Sequence, residues 1–150
     1  MPDQERLSAQ MVHEYPFNRT TGPVIGAFMT GLREGIVCGI RRADGSVLVP
    51  PAEYDPVTAE ALTEIVEVAQ EGTVVTWTWL DEPRPQSPWG APHALALVQL
   101  DGSDTPLLHG VLVDSADAMS TGMRVRIRWN EQREGHIRDI EGFEPVEASA

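Results

Sequence analysis

Lysine is absent from this chain, and cysteine occurs once, at Cys38. Without lysine there is no Schiff-base nucleophile and no phosphate-cradling P-loop lysine, since both chemistries use a primary amine. One cysteine can neither form an intrachain disulfide nor build a cysteine zinc site. No apolar run approaches the roughly 20 residues that span a bilayer. The opening MPDQERLSAQ lacks the basic start and apolar stretch of a secretory leader, so a cytoplasmic protein is expected. The G-x-S-x-G, H-E-x-x-H, Walker A and G-x-G-x-x-G signatures are all missing. His13, His93, His109 and His136 are scattered, none at metal-ligand spacing with another histidine or with Cys38. The acidic residues are dispersed and single out no carboxylate pair. These absences predict a chain that is not an enzyme and holds no metal or cofactor.

What is present is a chain of 150 residues, 41% apolar, with a formal net charge of −12. That length suits one domain with a small appendage. The negative charge argues against nucleic-acid binding, which draws most of its affinity from neutralising phosphates. Residues 1–21 read as a polar arm that Tyr15 and Phe17 could anchor to a surface, or equally as a frayed terminus. The stretch GPVIGAFMTGLRE (22–34) predicts a short helix, with Thr21 to cap it, Pro23 in its first turn and Gly35 to end it. Val24, Ile25, Phe28, Met29 and Leu32 share one face, while Gly22, Gly26 and Thr30 form a second, flat face suited to close packing on the chain's own barrel or on another subunit. Residues 36–49 predict a hairpin around Ala-Asp-Gly-Ser. Residues 59–67 fit a helix or an extended segment equally. From Glu71 the chain predicts strands at 73–80, 93–100, 107–113, 123–129 and 135–143, with a proline-rich loop at 81–92 and a helical turn within 115–121. Five such strands suit a five-stranded Greek-key barrel, the OB-fold.

Two groups of residues are candidates for binding. In MRVRIRW, Arg124, Arg126 and Arg128 share one strand face and Val125, Ile127 and Trp129 the other, because side chains alternate along a strand. Three arginines in a row can receive phosphates or an acidic partner; the plainer reading is an ordinary solvated face. Trp77 and Trp79 share a face, and Trp89 lies in the adjoining proline-rich loop; they suit either a docking surface or the core. His109, inside an apolar strand, reads as a barrel-lining histidine. Cys38 reads as a small buried apolar residue, and no spacing supports a Cys38–His109 thiolate pair.

The order of helix, hairpin with Pro50-Pro51, Gly-Thr-Val strand start, ALVQLDG and GMRVRIRW resembles the zinc-ribbon OB-fold family known as domain of unknown function 35. The resemblance runs from Gly22 to Pro145. It implies a mainly β fold: an N-terminal helix, a rubredoxin-like zinc-ribbon hairpin and a five-stranded OB-fold barrel. The implied organisation is an arm at 1–21, helix and ribbon at 22–68, barrel at 69–145 and a tail at 146–150. The family's ribbon carries two C-x-x-C pairs, whose positions fall at Arg41 and Asp44, then at Asp55 and Thr58. None is cysteine, so the ribbon is degenerate and no metal is expected. Exposed Arg41–Asp55 or Arg42–Asp44 ion pairs would contribute at most about 1 kcal/mol in its place.

The resemblance also implies a partner. Family members associate with thiolase-like and other acyl-CoA enzymes, so the chain is expected to be a non-catalytic accessory subunit of a thiolase-like or aldolase-like enzyme in lipid or steroid side-chain metabolism. It would shape the substrate entrance, with Phe28, the tryptophans and the arginine row as candidate contacts and a coenzyme A thioester as a further candidate ligand. The alternatives are a free-standing acyl-CoA or small-ligand binder and, against the charge, a single-stranded nucleic-acid binder.

Overall fold

A computed structural model describes residues 8–147; the start of the expected arm (1–7) and the end of the expected tail (148–150) lie outside the described residues. Residues 8–22 carry no regular structure and lead into helix α1 (Pro23–Glu34). Strands β1 (Cys38–Arg41), β2 (Val47–Leu48) and β3 (Glu64–Glu67) form a three-stranded sheet in the order β2-β1-β3. The segment at 59–67 therefore supplies an edge strand, with Glu64–Glu67 paired antiparallel to Arg41–Cys38.

Strands β4 (Glu71–Leu80), β5 (His93–Leu100), β6 (Leu107–Val111), β7 (Arg124–Trp129) and β8 (Ile140–Pro145) close into a barrel in the order β4-β5-β6-β8-β7. Every pairing is antiparallel except β6 with β8. Counting barrel strands alone, the order is first, second, third, fifth, fourth and back to the first, which is the Greek-key closure of an OB-fold. Gly72 sits where β4 pairs with both β5 and β7. A side chain there would run into the Gln99 carbonyl, so only glycine lets the two backbones meet at this corner. The expected helical turn is a short 3-10 turn at Ala116–Ala118, and the expected strand at 135–143 begins instead with a 3-10 turn at Ile137–Asp139.

Helix α1 is held at both ends by residues far away in sequence. Thr21 is not its cap: Gly22 occupies that position and offers no side chain. Instead the Glu53 carboxylate accepts hydrogen bonds from the Val24 and Ile25 N–H groups at 3.0 and 2.9 Å. An anion there complements the positive end of the helix dipole. At the other end Gly35 closes the helix in a left-handed conformation, and the Arg133 guanidinium donates to the Arg33 carbonyl at 3.0 Å. The flat face does not form as expected: Gly22 lies outside the helix against Glu53, and Gly26 faces the chain's own Thr21.

One buried cluster spans the whole structure. Phe28 and Leu32 of the helix and Val37, Val47 and Val49 of the small sheet pack in the same core as Val74, Val98, Val125 and Phe143 of the barrel. Phe28 is only 4% exposed, which removes it as a partner contact. Its role is to join helix to barrel.

Candidate functional site

The proline-rich loop between β4 and β5 folds back over the barrel. Its Trp89 ring lies against the backbone of Gly110, where an added Cβ would come within 2.5 Å of the indole. The indole Nε1–H donates to the Glu141 carbonyl at 3.3 Å. The Trp89 ring also sits 5.1 Å from His93 and 5.4 Å from His109, the latter edge-on, and His109 in turn meets Phe143 edge-on at 5.9 Å. Glycine at 110 is what allows this aromatic row to form, because any side chain would hold Trp89 off the strand.

Beside this row is a cleft of about 560 Å³, with Trp89, Leu95, Leu108, His109, Ile137 and Ile140 in its walls. It lies over the second and third barrel strands, between the β4–β5 loop and the β7–β8 loop. OB-folds bind their ligands in this region. The β7–β8 loop is organised by Asp139, whose carboxylate accepts from the N–H groups of Glu134, Gly135 and His136 at 3.0, 2.7 and 3.1 Å. Burial alone would raise the Asp139 pKa, but those donors outweigh it and hold the carboxyl below its usual range. Burial pushes His109 below the ordinary histidine value, although the Gly110 and Ile137 carbonyls act in the opposite direction. At neutral pH its imidazole is therefore uncharged.

The arginine row is differently placed. Arg124 makes a two-pronged pair with Asp101, Arg128 a two-pronged pair with Glu141 at 2.8 and 2.9 Å, and Arg126 a bond to Glu144 at 2.7 Å. The three do share one exposed face, but each guanidinium already has a carboxylate from a neighbouring strand or loop. A phosphate would have to displace those acids. Trp77 and Trp79 share a face as expected and pack half-buried on the barrel core, whereas Trp89 belongs to the histidine row. The three tryptophans do not form one cluster.

Of the four positions expected for ribbon ligands, Asp44 and Asp55 both pair with the neighbouring Arg42. Arg42 reaches Asp55 through two nitrogens at 2.9 and 3.2 Å and Asp44 through a third contact at 2.9 Å. Asp55 also accepts from the Val57 and Thr58 N–H groups at 2.7 and 3.1 Å, and Asp44 from the Ser46 N–H at 2.9 Å. The Arg42 bond and these N–H donors hold the Asp55 carboxyl down to about 2. Of the pairs expected from sequence, Arg42–Asp44 forms. Arg41 turns instead to Glu64 at 2.9 Å, and Arg42 takes Asp55. The residues do not fit a zinc ion: a guanidinium cation lies between the two carboxylates that would have to bind one. Among the described residues no three His, Cys, Asp or Glu side chains converge to hold a metal.

Cys38 lies in the small sheet beside Gly31, far from the company His109 keeps. Burial, then Glu67 and Glu34, push its thiol up, which disfavours the thiolate that a nucleophile needs. Among the described residues no helix is long and apolar enough to cross a membrane.

Comparison with known proteins places this barrel. Residues 65–130 match the family model for the C-terminal OB-fold domain of ChsH2. The barrel is thus similar to a ChsH2-type OB-fold domain. No curated protein matches the chain. Among solved structures, the chain is similar to the Ltp2-ChsH2(DUF35) aldolase, at 21% identity and a TM-score of 0.62, covering 85% of this chain and 98% of that one. It is also similar to a DUF35-family protein of unknown function from Sulfolobus solfataricus, at 21% identity and a TM-score of 0.58, covering 71% of this chain and 78% of that one. These likenesses extend the shared fold beyond the barrel.

The cleft was not assembled from the sequence. Trp89 and His109 were each singled out, but His93, Ile137 and Arg138 were not joined to them. The available signal was Gly110 directly after His109 inside a strand, since a strand glycine often marks the close approach of another group.

Proposed function

We propose that this chain is a non-catalytic accessory subunit of an acyl-CoA enzyme of the thiolase-like or aldolase-like kind. The helix and small sheet (22–68) would dock on the partner, and the barrel (69–145) would shape its substrate entrance. One observation carries the docking half. Of the nine large apolar side chains exposed among the described residues, seven precede the barrel: Met11, Val12, Tyr15 and Phe17 on the arm, Tyr54 and Val57 on the ribbon loop, and Ile65 on β3. Contiguous exposed apolar residues mark interaction surfaces, and the loop that presents both Tyr54 and Val57 is braced from within by the Arg42–Asp55 pair. A rigid presenting loop loses little entropy on binding. The likeness to the Ltp2-ChsH2(DUF35) aldolase, which covers nearly all of that chain, supports an enzyme as the partner.

The hairpin is read as a ribbon that has exchanged its metal for the Arg42 guanidinium. The test is co-expression with a thiolase-like protein encoded nearby. A stable complex is expected, and the pair Tyr54→Ser and Val57→Ser should weaken it by about tenfold or more without changing the melting temperature of the free chain. Failure to co-purify with any thiolase-like or aldolase-like partner would overturn the proposal.

A further inference from the structure

We infer that the cleft between the β4–β5 and β7–β8 loops binds a small organic acid, an aliphatic or aryl monocarboxylate. Its apolar body would lie along Trp89, Leu95, Ile137 and Ile140, and its carboxylate would meet Arg138.

The cleft's volume, about 560 Å³, falls within the range of small-molecule sites. Its polar groups decide the class of ligand by elimination. Glu141 is committed to Arg128 through both carboxylate oxygens. The Asn130 amide donates to the Arg138 carbonyl, and the Trp89 indole to the Glu141 carbonyl. Asp139 is satisfied by three backbone donors and is buried. Along β7 and its loop, Arg124, Arg126, Arg128 and Arg133 all have acceptors. Among the described residues, no carboxylate lies within ion-pair reach of the Arg138 guanidinium. Arg138 lines the cleft with its charge uncompensated, in a protein of net charge −12.

A planar guanidinium pairs best with a planar carboxylate, in two-pronged geometry. A cationic ligand would be repelled, and a neutral one would gain nothing from the guanidinium, which would stay hydrated. One cation and one indole are too few for a nucleic-acid strand, which needs a continuous positive groove and several stacking rings. The apolar walls meanwhile favour a hydrocarbon body over a bare inorganic anion.

This inference is independent of any partner enzyme, so it is tested on the isolated chain. Octanoate, 1-octanol and octylamine are titrated into ¹⁵N-labelled protein, following the Trp89 indole N–H and the backbone of both loops. Octanoate is expected to give saturable shifts confined to the cleft, at residues 81–95, 108–110 and 130–141. Octanol should bind about tenfold more weakly, octylamine more weakly still. Arg138→Gln should reduce octanoate affinity by about tenfold, roughly 1.4 kcal/mol. Arg126→Gln, whose pair with Glu144 lines a different surface, should leave it unchanged. Because Arg138 is exposed, its replacement should leave the dispersed spectrum of a folded chain intact. Non-saturable octanoate shifts, shifts spread over the core, equal binding of octanol, or an unaltered affinity in Arg138→Gln would each overturn the proposal.

Discussion

Asp55 sits almost fully buried with a guanidinium on one side and two backbone N–H groups on the other. A carboxyl held at about 2 in the folded chain binds its proton more readily once unfolded. Its stabilisation is therefore complete above about pH 4, the ordinary aspartate range, and is lost as the pH falls towards 2. Asp55→Asn keeps an acceptor for Val57 and Thr58 but not the charge facing Arg42. Thermal melts should show the variant a few degrees below the parent at pH 7 and converging with it near pH 2; a constant gap across that range would place the effect in packing. Gly110→Ala makes a different prediction at the same scale. The new methyl would sit 2.5 Å from the Trp89 ring, so the indole must leave the strand and its bond to Glu141. A cost of about 1–3 kcal/mol is expected from overpacking, together with a red-shifted tryptophan emission. An unchanged spectrum would show that Trp89 does not lie there in solution.

Among the elements, the small sheet is the one that needs explaining. Its strands are short, β2 having two residues, and isolated hairpins of this size are marginal in water. Two supports hold the sheet in place. One is the Arg42 cluster, which ties the β1–β2 turn at Asp44 to the second turn at Asp55. The other is the barrel: Asp104 and Thr105 accept the Val47 and Val49 N–H groups, both at 2.8 Å. The sheet is thus hydrogen-bonded to the β5–β6 connection rather than standing alone. Chelation with EDTA should leave the melting temperature unchanged, and elemental analysis should find zinc far below one equivalent. Near-stoichiometric zinc would sink the metal-free reading. Helix α1 follows the same logic, since its caps Glu53 and Arg133 come from the ribbon loop and from the barrel.

Across the whole molecule, the continuous core argues for a single unfolding transition, with helix, small sheet and barrel melting together. Phe143 is the test residue because it is fully buried and touches His109 at the base of the aromatic row. Phe143→Ala should cost about 3–5 kcal/mol and lower the melting temperature of all three parts equally, followed by near- and far-ultraviolet circular dichroism. Two separated transitions would instead mean that ribbon and barrel are independent units.

The sequence alone determined the elements and much of the chemistry that is excluded. Alternation in MRVRIRW, the apolar run HALALVQL and the glycine and proline punctuation are local signals, so most strands and turns were legible to within a few residues, but not β3, which fitted helix or strand equally, nor the start of β8. The lack of lysine and of ribbon cysteines was legible outright. The tertiary structure alone decided partners. Whether Arg124, Arg126 and Arg128 are free or neutralised depends on Asp101, Glu144 and Glu141, which strand order and register bring across. Whether Trp89 joins Trp77 and Trp79 or the histidines depends on which way a proline-rich loop folds. The caps of α1 lie 28 and 100 residues from the groups they satisfy. Periodicity records which face of an element is buried, but not what lies against it. The cleft that Arg138 lines is made of such long-range meetings, so it became visible only once the barrel was closed.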